Sequence, residues 1–181
     1  MKSPCKESFR MRLQKNHLGR CLPVAAIALF VVVAFCPAYA APKTLHGLIT
    51  FYGFPDNSPP GTAIAFPVIH DGAGGTGTVG DPITFATDQA EHKPGTRLYV
   101  PFLQKYFIME DDCVECDNDW NNGHKRHVDL WTNSDADSDP QAVIDCEDSL
   151  TQDRGTYIVN PSRNMTVDTT PLFDNNSGCI Q

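Results

Sequence analysis

The stretch FIMEDDCVECDNDWNNGHKRHVDLW, residues 107–131, concentrates the reactive side chains of the chain. Its 25 residues contain two cysteines, two histidines, seven carboxylates and both tryptophans. Apolar residues alternate at each end, as in half-buried strands, whereas the middle is polar. The pattern predicts a strand, an acidic loop that carries Trp120, and a second strand that carries Asp129.

The sequence on either side of this stretch is typical of an all-β protein. Short apolar runs are separated by Gly, Pro, Asn and Asp, which indicates a compact barrel or sandwich. The predicted strands are residues 44–52, 62–69, 82–87, 96–101, 105–110, 126–131, 141–145 and 155–160. A single short helix is predicted around residues 146–152.

The first 40 residues differ in composition from the rest. A basic start precedes an apolar run, and Ala38 and Ala40 are the small residues that a signal peptidase accepts. We therefore predict a signal peptide at residues 1–40 and a secreted mature protein without stable membrane association. Six of the 14 basic and one of the 22 acidic residues lie in this segment, which leaves a net charge of −13. Such a charge argues against binding nucleic acid or anionic lipid.

The mature sequence is expected to fold as one domain. Residues 41–160 form the predicted barrel, and residues 161–181 form an extended tail tied back by Cys179. Asn164 and Asn175 lie in glycosylation sequons. No cofactor is expected, and the protein is expected to be a monomer.

The four cysteines of the mature sequence predict two disulfides, because secreted proteins keep cysteines oxidised. We favour Cys113–Cys116 with Cys146–Cys179, and the competing pairing joins the DDCVEC segment to Cys146. Zinc is disfavoured because the spacing from the cysteines to His124 and His127 is short and thiolates are scarce in an oxidising compartment. The surrounding carboxylates would raise thiol pKa values, which disfavours a redox site.

Two further loops resemble ligand sites but lack parts of the motifs. Residues 71–81, DGAGGTGTVGD, are rich in glycine but lack the Gly-Lys-Ser/Thr ending of a phosphate loop. Residues 133–140, NSDADSDP, alternate Asp but lack the central Gly and the final Glu of a calcium loop. The sequence therefore predicts no metal site.

The strand that carries Asp129 has the character of a sugar site. Val128 and Leu130 should share one face, and His127, Asp129 and Trp131 the other. An aromatic side chain can stack on a pyranose ring, and a carboxyl group can protonate a glycosidic oxygen. Neighbouring carboxylates would raise the pKa of such an acid into a useful range. Alternatively, Asp129 only accepts hydrogen bonds that hold the barrel together.

Two motifs extend this interpretation. TFYG lies at residues 50–53 and HVDL at residues 127–130. Asp88 precedes KPGTRLYV, residues 93–100, and Glu110-Asp111 follows. This combination resembles the double-psi β-barrel superfamily of expansins, rare lipoprotein A, family 45 endoglucanases and the three-aspartate domain of lytic transglycosylases. The resemblance implies a six-stranded double-psi β-barrel with long loops and a short helix, stabilised by disulfides.

The resemblance also implies a function, namely action on or binding to cell-wall polysaccharide such as peptidoglycan, cellulose or chitin. Asp129 would be the general acid, with Asp111 and Asp88 as the other two catalytic aspartates. The residues expected to bind substrate are Tyr52, Asp112, Trp120, His127 and Trp131. The alternative is a non-catalytic, barwin-like binding protein or effector in which the aspartates are structural.

The chain departs from the hydrolase pattern of this superfamily. Tyr52 is followed by Gly53, and the next acid is Asp56, so the sequence does not identify the second carboxylate of an inverting hydrolase. A lytic transglycosylase or an expansin-like protein needs only one acid. The sequence therefore favours one of these two over a hydrolase, and it leaves open whether the protein is an enzyme.

Overall fold

The computed structural model describes residues 40–180. The strands are β1 (Lys43–Tyr52), β2 (Ile83–Ala86), β3 (Arg97–Val100), β4 (Lys105–Asp111), β5 (His127–Trp131), β6 (Gln152–Val159), β7 (Phe173–Asp174) and β8 (Gly178–Cys179). The helices are α1 (Val114–Asn121) and α2 (Pro140–Leu150). The predicted signal peptide lies outside the described residues except for Ala40. Within residues 40–180, no helix has the length and apolar character needed to cross a membrane.

Six strands close into a barrel in the order β1-β5-β2-β4-β3-β6, with β6 pairing back to β1. Strand β1 runs parallel to β5, and β2 runs parallel to β4. The remaining pairs of the barrel are antiparallel. The prediction of an all-β, six-stranded, disulfide-stabilised barrel is confirmed. All six barrel strands were predicted to within three residues at each end.

Alternating apolar residues fill the interior of the barrel. Ile49, Phe85 and Phe107 are fully buried in one core cluster. Val128 and Leu130 of β5 are also fully buried there, as their shared strand face requires. Burial of side chains of this size stabilises the fold by roughly 1.5–3 kcal/mol each. The core therefore holds β5 between β1 and β2 and directs Asp129 away from the interior.

Two of the predicted strands, residues 141–145 and residues 62–69, are wrong. Residues 141–145 belong to helix α2, because Asp139 caps its N-terminus by accepting from Ala142 N at 2.9 Å and Pro140 occupies the first turn. The helix predicted around 146–152 therefore begins earlier and ends at Leu150. The acidic loop after β4 is in part helix α1, capped by Cys113, whose sulfur accepts from Cys116 N.

The predicted strand at residues 62–69 is instead an irregular loop anchored on Glu110. Glu110 is fully buried, and its Oε1 accepts from the backbone N–H groups of Val68, Ile69 and His70 at 2.6–3.1 Å. Its Oε2 contacts His70 Nδ1 at 2.6 Å, and His70 Nε2 contacts Asp81 at 3.0 Å. One carboxylate thus takes up the backbone donors that a strand would have paired.

The segment after β6 is held along its length. Lys105 is fully buried, and its Nζ donates to the carbonyl oxygens of Asp168 and Thr170. Tyr99 donates through its hydroxyl to Thr166 O at 2.7 Å. Cys146–Cys179 and Cys113–Cys116 are both disulfides, so the favoured pairing is confirmed. The predicted tie through Cys179 joins the β7-β8 hairpin to α2.

Candidate functional site

A surface cavity of about 650 Å³ lies where β1 and β4 end, beside the first half of β5. Its walls come from these three strands, from the chain after β1, and from the start of α1. Five carboxylates are among its lining residues, and we call it the acidic groove. They are Asp56, Asp111, Asp112, Glu115 and Asp129.

Asp129 is the most strongly perturbed acid of this lining. Thr50, its cross-strand partner on the parallel strand β1, donates from Oγ1 to Asp129 Oδ1 at 2.7 Å. Burial raises the pKa of Asp129 to about 7, against the hydrogen bond from Thr50. The nearby charges of Asp56, Glu115 and Asp111 add to the rise. At neutral pH this carboxyl group can therefore either donate or accept a proton, as a general acid must.

A chain of hydrogen bonds leads from Asp129 toward solvent. Thr50 Oγ1 lies 2.9 Å from His127 Nε2, and His127 Nδ1 lies 3.1 Å from Asp119 Oδ2. Burial lowers the pKa of His127, against its bond with Asp119, so the ring is neutral at pH 7. When Asp129 is ionised, Thr50 donates to it and accepts from His127 Nε2–H. When Asp129 is protonated, Thr50 can accept from it and donate to His127 Nε2, while Nδ1–H donates to Asp119. The arrangement can orient the acid and pass a proton to or from it.

Tyr52 and Asp111 form the opposite wall of the groove. The Tyr52 hydroxyl donates to Asp111 Oδ2 at 3.0 Å, and Ala65 N donates to Asp111 Oδ1 at 2.9 Å. Burial raises the pKa of Asp111 despite these donors. Burial, with the charges of Asp111 and Asp129, also raises the pKa of Tyr52 well above its usual range. Tyr52 therefore stays protonated and works as a hydrogen-bond donor.

The structure adds two acids that the sequence analysis did not assign. Asp56 lines the groove, and its Oδ1 accepts from Gly53 N at 2.7 Å. Glu147 lies behind it on α2, is only 6% exposed, and reaches Asp56 with its carboxyl group. Burial, then the charges of Asp56 and Asp129, raise the pKa of Glu147 to about 9. The sequence shows Asp56 as the acid that follows the TFYG motif most closely. No sequence motif identifies Glu147, which the structure places on the buried face of α2.

The predicted site residues divide into two groups. The structure brings Tyr52, Asp111, Asp112, His127 and Asp129 to the acidic groove. It does not bring Asp88, Trp120 or Trp131 there. Asp88 is buried and accepts from Ala90 N, and Asp117 of α1 contacts it. Trp120 packs against His124, with ring centroids 4.8 Å apart. Trp131 is 1% exposed and packs edge-on against Tyr52 in the core.

One cluster within residues 40–180 has the residue types of a metal site. Ligand atoms of Cys113, Cys116 and His127 lie within 4.8 Å of one another. The two sulfur atoms are bonded to each other, and a metal requires free thiolates. His124, the other histidine of the zinc alternative, does not belong to this cluster. The disulfide instead pins the start of α1 against the groove.

Fold and site define a small disulfide-bonded β-barrel protein with an acidic cavity lined by three of its strands. The chain matches the family described as the DDB_G0273701 N-terminal domain over residues 44–180, and it belongs to that family. It is 38% identical over 154 residues to "Uncharacterized protein DDB_G0273701/DDB_G0273221" of Dictyostelium discoideum. The aligned region covers 84% of this chain and 68% of that relative. No solved structure matches the chain.

Proposed function

We propose that the acidic groove binds a cell-wall polysaccharide and that Asp129 protonates a glycosidic oxygen of the bound chain. The observation that carries the proposal is the position of Asp129 in an open cavity with its pKa raised to about 7. A cavity of about 650 Å³ is in the range of small-ligand sites. The protein would be a secreted double-psi barrel, a topology that agrees with its two parallel strand pairs.

The groove offers the polar contacts that a sugar requires. The Tyr52 hydroxyl and the carboxylates of Asp111 and Asp112 face the cavity where sugar hydroxyls would lie. Ile64 and Ala65 add apolar surface to the lining of the same cavity. After each turnover, Thr50 would pass its hydroxyl proton to ionised Asp129 and recover one from His127 Nε2, and the ring would take up a proton at Nδ1 from solvent through Asp119. These features support a catalytic over a purely structural role for Asp129.

Asp56 widens the range of reactions that the groove could perform. It lines the same cavity and lies close enough to Asp129 to raise its pKa. An inverting hydrolase holds a water molecule between two carboxyl groups, whereas a lytic transglycosylase uses a hydroxyl of the substrate. Asp56 is therefore the candidate second carboxylate that the sequence left unassigned.

The test is mass spectrometry of soluble products from peptidoglycan, cellulose and chitin. The wild type and the Asp129→Asn variant are compared, and Asp129→Asn should release at least about a hundredfold less product. Anhydro ends would identify a lytic transglycosylase, and reducing ends that disappear in Asp56→Asn would identify a hydrolase. Circular dichroism and pull-down on the same polymers serve as controls for folding and binding.

The second candidate function is binding without catalysis. It is favoured by the hydrogen bond from Thr50 to Asp129, which ties β1 to β5 and gives the carboxyl a structural task. Glycan capture without released products by the wild type would establish this function and contradict a catalytic role. Failure to bind any of the three polymers would contradict both candidates.

A further inference from the structure

The wall of the acidic groove lacks positive charge. Five of its lining residues are carboxylates, and none of the described lining residues is Lys or Arg. His127 is the remaining titratable base of the wall, and burial lowers its pKa. Concave walls of one charge sign focus the field into the cavity and concentrate ligands of the opposite sign. Such a wall favours cationic over anionic ligands.

A second observation, independent of the count of carboxylates, comes from behind the wall. Glu147 is 94% buried, since its exposed fraction is 6%, and its carboxyl group points at Asp56 of the groove. Its Oε1 has no hydrogen-bond partner among the described residues. Buried carboxyl oxygens are normally satisfied by donors, and leaving one unsatisfied costs about 1–3 kcal/mol. Among the residues that the structure describes, the cluster thus lacks positive charge, and one oxygen of Glu147 lacks a donor.

We propose that the acidic groove takes a glycan that carries free ammonium groups, that is, a polymer containing de-N-acetylated amino sugars. This proposal rests on the proposed function, and it specifies the substrate class of that same site. An ammonium group supplies three donors and one positive charge, and its hydrogen bonds to carboxylates are about twice as strong as neutral ones. Acidic glycans, such as those with uronic acids or phosphate, are repelled by the same wall.

The mutual repulsion of the carboxyl groups agrees with this assignment. Glu147 faces Asp56 and Asp129, with Asp148 nearby on its own helix. Asp129 faces Asp56, Glu115 and Asp111. After burial, these charges are among the causes that raise the pKa values of Glu147 and Asp129. A bound ammonium group compensates the negative charges that face Asp129, whereas an acetamide group of the same sugar does not.

The direct test is isothermal titration calorimetry with two oligosaccharides of equal length, one of glucosamine and one of N-acetylglucosamine. The measurement is made at mildly acidic pH, where the amine of glucosamine is protonated. The glucosamine oligomer is expected to bind with a Kd about tenfold lower. That advantage should shrink as salt rises toward about 1 M, where charges are screened within a few ångströms.

Matched variants separate the groove from the general negative charge of the protein. Asp56→Asn removes one charge from the groove and should reduce the advantage of the glucosamine oligomer by about threefold or more. Asp153→Asn removes the same charge from an exposed position on β6 and should leave the advantage unchanged. An equal loss in both variants would show a non-specific attraction and would overturn the proposal.

The remaining outcomes are also decisive. Equal or tighter binding of the acetylated oligomer would overturn the ammonium specificity while leaving the proposed glycan function intact. Binding of neither oligomer, together with no capture of the wall polymers, would overturn the proposed function itself. An oligolysine of equal charge serves as a third probe. If it binds as tightly as the glucosamine oligomer, the groove recognises cations in general and the sugar assignment is wrong.

Discussion

Glu110 and Glu147 are both buried glutamates, yet their carboxyl groups are in opposite states. Glu110 is fully buried and Glu147 is 6% exposed. Burial alone would raise both pKa values, but the N–H groups of Ile69, His70 and Val68 and the ring of His70 lower that of Glu110. Glu147 faces carboxylates instead of donors, and its pKa rises to about 9. The donors around a buried acid, more than its depth, therefore decide whether it is charged.

The same difference separates a structural region from the candidate site. The carboxylate of Glu110 holds the loop 62–82 against β4 with three backbone bonds and one side-chain bond. The carboxyl groups of the candidate site accept fewer hydrogen bonds, and they can therefore still bind a proton or a ligand. These groups belong to Asp56, Asp129 and Glu147. Groups of the second kind cluster at functional sites, where stability is exchanged for reactivity.

The largest effect on stability is expected from removing the carboxylate of Glu110. Glu110→Ala leaves three N–H groups without an acceptor and His70 Nδ1 without its partner, and it should lower the free energy of unfolding by about 3–5 kcal/mol. Urea denaturation measures this loss. Glu110→Gln keeps one amide oxygen as an acceptor and should cost clearly less. Equal costs for both variants would show that the backbone bonds contribute little.

An intermediate effect is expected from pH. The folded protein keeps the proton of Glu147 up to a pKa of about 9, whereas the unfolded chain releases it near the ordinary value of 4.5. The free energy of unfolding should therefore fall as pH rises through this window, by an amount on the order of a few kcal/mol, and level off above it. Denaturation midpoints between these pH values measure the slope.

Glu147→Gln is the matched control for this pH dependence. The amide keeps a donor for Asp56 but cannot ionise, so the slope that remains should be much smaller and close to that contributed by Asp129. A variant as pH-dependent as the wild type would show that Glu147 is ionised in the folded protein. That result would remove the contrast between the two glutamates.

The smallest effect is expected at the outer end of the Glu110 network. Asp81→Asn removes the partner of His70 Nε2, a carboxylate whose side chain is 46% exposed. Exposed pairs contribute about 0.2–1 kcal/mol, so the stability should change by no more than that. Burial opposes protonation of His70, but its bonds to Asp81 and Glu110 raise its pKa, so the variant should lower it. A nuclear magnetic resonance titration of the ring follows this change.

The sequence was sufficient for the barrel because alternation, turn residues and cysteine spacing are local signals. The strand that carries Asp129 and its parallel neighbour β1 were both found from short motifs. The apolar run at residues 62–69 was predicted as a strand because nothing local shows that Glu110 accepts its N–H groups. The run at residues 141–145 was too short to distinguish strand from helix, although Asp139-Pro140 is a helix-start signal.

Part of the candidate site was predicted, because some of its residues also lie in local sequence motifs. Three site residues belong to recognisable short motifs, and the structure places all three in one cavity. They are Tyr52, Asp111 and Asp129. Glu147 reaches Asp56 only because α2 packs beside the end of β1, a tertiary contact with no local pattern. The aromatic residues were harder to place: alternation puts Trp131 on the strand face of Asp129, but it does not show how deeply the side chain is buried. The structure buries it against Tyr52.

Closure of the barrel has a consequence for how the chain is assembled. Strand β1 is the first element of the described residues, but its partners β5 and β6 come much later in the chain. Leu48 can pair only after His127 has been synthesised, and Lys43 only after Val159. Barrels built from such distant pairs fold slowly, because long loops close before the contacts that stabilise them form. During synthesis, β1 therefore emerges with both of its edges unpaired, and unpaired strand edges are prone to aggregation until their partners form.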